Sequence, residues 1–209
     1  MRRHLPVWSR RSRRLGFINA ASMPVVAATA RQMLIDHARL APGQTVLIHG
    51  TAGSVGAYAV QFARMVRARV IATASARDFD YIYGLDADEV IDSRASRFED
   101  GLDPVDVAID LVGGDVQRRS LSILKSGGIL VSAVSKPDAE EARWLGARAE
   151  FILVDVTTAA LERIAAMVDA GEIATSVGAV LPLAELRTAH EMMEGMRSRP
   201  RGKIVLKTG

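Results

Sequence analysis

The sequence predicts an α/β protein: a doubly wound, mainly parallel sheet of about six strands, followed by a smaller C-terminal α/β tail. Three observations predict it. Short apolar runs alternate with stretches of helical spacing from Thr45 to Val154, at intervals suited to right-handed parallel crossovers. One stretch, Thr45 to Gly56 (TVLIHGTAGSVG), passes from a buried strand through a glycine turn directly into a helix. Beyond Asp155 the pattern changes to helix, strand, helix and strand, with an apolar final strand (IVL behind RGK) that must bury itself on something.

The elements follow in order. Residues 1–19 form an arginine-rich leader, with Arg2, Arg3, Arg10, Arg11, Arg13 and Arg14 preceding any acid. An arm for nucleic acid or another anionic surface, a transit peptide, and a disordered stub or remnant of an upstream region are the readings open to it. The disordered stub is favoured because no aromatic interleaving or basic helix follows. From Pro24 to Leu40, Val25, Val26, Ala28, Met33, Leu34, Ile35 and Ala38 fit one helix, and APGQ turns the chain into the first strand, which opens at Thr45. Further strands are predicted at Arg69–Ala74, Glu89–Asp92, Val105–Leu111, Gly128–Val134 and Phe151–Val154. Helices are predicted at Ala76–Tyr83, Val116–Leu124 and Asp138–Leu145, then at Thr158–Ala170 and Leu183–Met196. Strands at Ala179–Leu181 and Lys203–Lys207 complete the tail.

With 209 residues the chain can bury one substantial core, or one core with an appended part-domain. It has 27 Lys and Arg against 24 Asp and Glu, and setting aside the six leader arginines reverses the sign of the +3 net charge. The folded part is therefore mildly acidic, and nucleic acid is not an expected partner of it. No Cys occurs, which excludes disulfides and thiolate metal ligands within this sequence and suits a cytoplasmic location. Leu5 to Trp8 is too short for the apolar core of a secretory signal. No run approaches the roughly 20 apolar residues of a membrane span.

The chemistry concentrates at strand ends. A strand, a glycine turn and a helix start in succession bring free backbone N–H groups and the positive end of the helix dipole onto an anion, which makes Gly53 and Gly56 candidates for holding a pyrophosphate. The end of the second strand discriminates among nucleotides. NAD and S-adenosylmethionine sites usually carry Asp or Glu there, whereas this chain has Ala74, Ser75, Ala76 and Arg77. With no carboxylate to repel it, a 2′-phosphate can meet the Ser75 hydroxyl and the Arg77 guanidinium, so NADPH is expected over NADH. Arg77 also reads as a solvated first-turn residue. No Tyr is followed four positions later by Lys, no GKS or GKT follows a glycine loop, and no GxSxG occurs, which argues against short-chain dehydrogenases, P-loop enzymes and α/β-hydrolases. His4, His37, His49 and His190 lack metal-ligand spacing, and no metal is expected. His49 and His190 are read as structural.

The segments PGQTVLIHGTAGSVGAYAVQFA, RVIATASAR, DADEVID, VDVAIDLVGG, LKSGGILVS and RGKIVL together resemble the cofactor-binding half of medium-chain dehydrogenase/reductases, from about Ala20 to Lys207. The branch they resemble is the zinc-independent, quinone oxidoreductase-like one. That resemblance implies an oxidoreductase that passes hydride from NADPH to a quinone or another activated carbonyl compound. It implies cofactor contacts for Gly53, Ser54, Val55 and Gly56 at the pyrophosphate, and for Ser75 and Arg77 at the 2′-phosphate. Val112 and Gly113 are implied near the ribose and nicotinamide, and Thr29 near the nicotinamide side. Val112 and Thr29 read equally well as packing residues.

The resemblance also exposes departures. The GroES-like catalytic domain of such enzymes is expected before Ala20, where only the leader stands, so no catalytic residue is assigned. Residues 20–176 are read as the NADPH-binding domain and 177–209 as the segment that returns to the absent domain. Arg67 and Asp86 stand where helix-ending glycines are usual, and Ser93 replaces a frequent Tyr. Thr51 replaces the first glycine of the dinucleotide fingerprint. The alternative function is a non-catalytic NADPH-binding or interaction module. Phe151–Val154, as a sheet-edge strand, reads equally as a homodimer contact and as an edge covered by a helix or by the C-terminal segment.

Overall fold

The computed structural model describes residues 15–95 and 97–208. The arginines of the leader, and with them the readings given to it, lie outside the described residues.

Residues 29–155 form one compact unit. Its six strands are β1 (Thr45–His49), β2 (Arg69–Ala74), β3 (Glu89–Asp92), β4 (Val105–Asp110), β5 (Leu124–Ser132) and β6 (Arg148–Phe151), all parallel, in the order β3-β2-β1-β4-β5-β6. The chain winds outward from β1 to β3 and then returns to the other side of β1. The carboxyl ends of β1 and β4 therefore diverge into loops that run apart, and the crevice between such loops is where open α/β sheets bind ligands.

Both faces of the sheet are covered, which is why its strands read as continuous apolar runs rather than alternating ones. Leu47, Ile71, Ala108 and Leu130 point to one face and pack with Phe98, Leu121 and Ala142. The alternate residues Val46, Ile48, Val70, Ala72, Ile109 and Val131 are equally buried. They belong to the face approached by α3 (Ser54–Met65), which follows α1 (Phe17–Ser22) and α2 (Pro24–Arg31) in the chain; in α3, Ala57, Ala59, Val60, Phe62 and Ala63 are buried and the small residues permit close approach.

Several sequence expectations change in detail. The helix expected over Pro24–Leu40 is divided into an α-helix, Pro24–Arg31, and a π-helix, Gln32–His37, in which Ala38 N–H reaches back to Met33 O at 2.9 Å. Met33 and Leu34 are both completely buried there. Residues 17–22 form a helix, so the last positions of the expected irregular leader are helical. β5 starts at Leu124 instead of Gly128 and stops at Ser132, with a register shift opposite Val105/Val107.

The sixth strand is Arg148–Phe151 rather than the expected Phe151–Val154. Its extent is set by β5, which pairs Ser132 with Phe151 and whose Ser132 O accepts a last hydrogen bond from Ile152 N–H at 2.9 Å. Beyond that point there is no ladder, and the side-chain amide of Gln32 instead bonds both the N–H and the C=O of Asp155. Apolarity drew the sequence reading to FILV, yet only Ile152 of the four is buried.

Arg67 (φ 60°) and Asp86 (φ 68°) both adopt the left-handed conformation that the missing glycines led the sequence reading to consider. Arg39 (φ 52°) does so as well, ending the π-helix segment. Arg67 follows α3 and its N–H bonds Arg64 O at 2.8 Å, so the position is fixed by the end of the helix. Replacing Arg67 with glycine is expected to stabilise the protein by about 1 kcal/mol, because the steric conflict of Cβ at positive φ disappears. A higher urea midpoint with unchanged denaturant slope is the expected reading.

The second unit comprises described residues up to Ala28 together with Val156 onward. It contains β7 (Val177–Pro182) paired in parallel with β8 (Lys203–Lys207), with Val180 opposite Val205. The helix Phe17–Ser22 packs on both strands, and Thr175 Oγ1 donates to Asn19 Oδ1 at 3.1 Å. The helix Thr158–Asp169, capped by Thr157 Oγ1, groups with this unit, whereas the sequence reading placed it with the nucleotide domain. The expected burial of the terminal strand is met at Val205, which is 7% exposed. Among the described residues, no helix is long and apolar enough to cross a membrane.

Candidate functional site

At the carboxyl ends of the strands in the first unit lies a cavity of about 340 Å³, lined by His49, Gly50, Ala52, Gly53, Thr73, Ala74, Ser75, Ser93, Phe98, Val112, Val116 and Arg119. It opens between the loops after β1, β2, β3 and β4, so the sheet topology places it at the switch point.

The glycine turn supplies its most constrained wall. Gly53 is the N-cap of α3, and its own N–H is satisfied by Gly50 O at 3.0 Å. No side chain caps the first turn of α3, formed by Ser54, Val55 and Gly56, whose N–H groups have no carbonyl of their own helix to bond. Uncapped N–H groups at the positive end of a twelve-residue helix are suited to an anion. Gly56 permits this geometry: a Cβ there would stand 2.4 Å from Gly50 O and 2.5 Å from Thr51 Cα. Thr51, in the place of the first fingerprint glycine, is fully buried, and its Oγ1 donates to Thr73 O at 2.9 Å, locking the turn onto β2.

At the end of β4 the loop is organised by Asp110, a completely buried carboxylate. Its Oδ1 accepts from the backbone N–H of Val112 at 3.0 Å and of Gly113 at 2.8 Å. Its Oδ2 accepts from Gln117 Nε2 and Ser132 Oγ, each at 2.8 Å. Two strands, a helix and the Val112–Gly113 turn are thereby tied to one side chain. Gly113 is at φ +79°, and a Cβ there would meet Ser135 Oγ at 3.2 Å, so both conformation and space favour glycine.

His49 lies under the cavity, 1% exposed, with Nδ1 3.0 Å from Thr73 Oγ1 and Nε2 2.9 Å from Ser120 Oγ. Ser120 donates its hydroxyl to Val116 O at 2.7 Å, which leaves its oxygen to accept from Nε2–H and assigns Nδ1 as acceptor from Thr73. Burial pushes the imidazole down from 6.5 to about 4, with the nearby Asp110 carboxylate opposing the shift. The ring is thus neutral at neutral pH.

Because the folded pKa lies below the unfolded one, the stability His49 contributes is fully present above about pH 6.5 and is lost as pH falls through about 4. The full difference amounts to roughly 3 kcal/mol. Glu99, held down to about 2 chiefly by its hydrogen bond from Arg119, releases its contribution below about 4.5, largely outside that window. Replacing His49 with glutamine is expected to lower stability at pH 7 and to flatten its decline between pH 6.5 and 4.5, as read from urea midpoints across that range.

Of the candidate residues, the cavity unites Gly53, Ser75 and Val112. Ser54, Val55 and Gly56 stand immediately behind it in the first turn of α3, and Gly113 follows Val112 in the next loop. Arg77 is not part of the lining. Its side chain is 78% exposed beside the carboxylate of Asp78 at 3.5 Å. Thr29 is buried in the helix Pro24–Arg31 and is also outside the lining. Sequence reasoning missed Phe98, Val116 and Arg119, which come from a 3₁₀ turn and a short helix with no motif to mark them. Asp110 falls within VDVAIDLVGG, but no motif marks its role.

The doubly wound sheet, the uncapped helix start and the glycine turn define a dinucleotide-binding fold. The family model described as zinc-binding dehydrogenase matches residues 85–206, and the chain belongs to that family. Among solved structures, it is similar to the quinone oxidoreductase from Coxiella burnetii, with a TM-score of 0.88 and 34% identity over 94% of this chain and 62% of that one. Its fold is shared by the CurK enoyl reductase, with a TM-score of 0.82, 24% identity, and coverage of 94% of this chain and 64% of that one. In sequence it is 36% identical over 197 residues to the polyketide synthase GfsB of Streptomyces halstedii, covering 90% of this chain and 4% of that protein. It thus spans under two thirds of each of these relatives.

Within the family it is a zinc-independent, quinone oxidoreductase-like domain of the medium-chain dehydrogenase/reductases, corresponding to their cofactor-binding half. Zinc does not fit the residues present: the chain has no Cys, and among the described residues no cluster of three or more His, Asp or Glu is placed to hold a metal.

Proposed function

We propose that this chain is the cofactor-binding portion of an NADPH-dependent oxidoreductase that delivers hydride to a quinone or enone. The observation that carries the reading is the uncapped first turn of α3 behind Gly53, with the end of β2 beside it presenting Ser75 and Arg77 in place of a carboxylate. Ser54, Val55 and Gly56 would hold the pyrophosphate through backbone N–H groups. Ser75 and Arg77 would meet the 2′-phosphate, with Arg77 exchanging its contact with Asp78 for the new anion. Val112 and Gly113, fixed by Asp110, would border the ribose and nicotinamide, and Thr29 would serve the nicotinamide side.

When bound, the dihydronicotinamide supplies the hydride for reduction of an enone or quinone. This chain's part is to bind, orient and shield it from water. The similarity to a solved quinone oxidoreductase supports that acceptor class. Titration with NADPH and NADH, followed by nicotinamide emission, tests the reading. Preference for NADPH is expected, and turnover with a quinone panel would establish the enzyme. Tight NADPH binding without turnover would favour the non-catalytic module, and no binding by folded protein would reject both.

We also propose a homodimer through the β6 edge. The strand ends the sheet, and near it Trp144 is 84% and Leu153 82% exposed, more apolar surface than an edge facing water ordinarily carries. A monomeric mass by light scattering at every concentration would reject it.

A further inference from the structure

One wall of the cavity is built from charge and aromatic surface that the glycine turn does not explain. Phe98 is 6% exposed, and its ring lies 4.6 Å from the His49 ring, tilted by 59°, and 4.6 Å from the guanidinium carbon of Arg119. Both Phe98 and Arg119 line the cavity.

One edge of the Arg119 guanidinium is taken by a carboxylate and the other faces a second. Nε donates to Glu99 Oε1 at 2.7 Å, Nη2 donates to Glu99 Oε2, and Nη1 lies 3.6 Å from Asp115. Glu99 does not line the cavity, and it receives Arg97 as well, at 2.8 Å. A planar cation held bidentate by one carboxylate and close to a second is a weaker receptor for phosphate, since its charge is offset by both. It offers its flat, polarizable surface instead, which stacks on aromatic rings.

We propose that Glu99 is a positioning residue that holds Arg119 against Phe98, and that Arg119 so held is the platform on which the purine base of the dinucleotide stacks. This rests on the NADPH reading above and adds to it the assignment of the base, as distinct from the phosphates, to the Phe98–Arg119 wall. The wall stands on the same cavity as Ser75, at the β2 end, and Gly53, beside the pyrophosphate turn. A nucleotide whose phosphates occupy the α3 start can therefore direct its base toward it without leaving the cavity.

The test compares wild type with Glu99→Gln, Arg119→Lys and the double variant. For each, displacement of bound NADPH is measured with adenosine 2′,5′-bisphosphate and, separately, with inorganic pyrophosphate, after circular dichroism has established equal folding. Glu99→Gln is near-isosteric and Arg119→Lys keeps the charge, so both are chosen to preserve the fold. Each single variant is expected to weaken NADPH and adenosine 2′,5′-bisphosphate about five- to tenfold. Pyrophosphate should stay within twofold, and the double variant should be no worse than either single one, because Glu99 acts only through Arg119.

Unchanged adenosine 2′,5′-bisphosphate affinity in both single variants overturns the platform and leaves the NADPH reading standing. Parallel weakening of pyrophosphate overturns it too, by making Arg119 a counter-ion for phosphate. Additive effects in the double variant overturn the positioning role of Glu99. Absence of NADPH binding by the wild type removes the parent reading and this one with it.

Discussion

Replacing Gly56 with alanine is expected to cost about 3 kcal/mol or more of stability and to abolish measurable NADPH binding. The added Cβ would stand 2.4 Å from Gly50 O, 2.5 Å from Thr51 Cα and 2.9 Å from Thr51 C. All three atoms are backbone, so no side chain can turn aside. The turn itself must move, and overpacking of a fixed core ordinarily costs about 1–3 kcal/mol even where side chains can adjust. Thr51 cannot yield freely either, because its hydroxyl is bonded to Thr73 O and its side chain is buried. The movement therefore separates α3 from β1 at the point where its uncapped N–H groups meet the anion. A lowered thermal midpoint together with lost nicotinamide emission on titration is the expected result. An alanine variant with wild-type stability would show that α3 and the turn do not approach so closely.

The second large effect is expected at Asp110. Its alanine variant should lose about 3–5 kcal/mol, because four donors converge on a carboxylate that is fully buried and would be left facing an apolar methyl. The asparagine variant is expected to retain much of that stability. Its carbonyl oxygen can still accept from Val112 and Gly113, and Ser132 can rotate its hydroxyl to accept, whereas Gln117 is held by its second bond to Ser135 O at 3.0 Å and loses its acceptor. The contrast separates the role of the charge from the role of the hydrogen-bonded geometry. Urea midpoints for the two variants provide the measurement, and equal losses would mean that the charge itself carries the site. The turn at Gly113 should loosen in Asp110→Ala, which a protease cleaving exposed loops would report as faster nicking there.

The remaining surface of the site is electrostatically modest. Arg119 is matched by Glu99 and Asp115, and Arg77 by Asp78, so the cavity carries little net positive charge before a ligand arrives. Affinity for a dinucleotide must therefore come largely from backbone N–H groups and stacking surfaces, both of which depend on geometry set by the sheet.

The sequence by itself determined the elements whose cause is local. TVLIH forms a strand because its apolar run is broken only at Gly50, and the glycine spacing fixes a strand–turn–helix unit. Arg67 and Asp86 were marked as helix-ending glycine positions by the family resemblance, and both take positive φ. Tertiary structure decided what depends on partners distant in the chain. β6 stops at Phe151 because β5 stops at Ser132, although Phe151–Val154 is the more apolar segment. Gln32 reaches 123 residues along the chain to bond Asp155. The wall formed by Phe98, Arg119 and Glu99 has no spacing that marks it, since its members come together only when the connection after β3 folds beside the helix after β4. Periodicity reports which face of an element is apolar; only packing decides which side chains from different elements share a cavity.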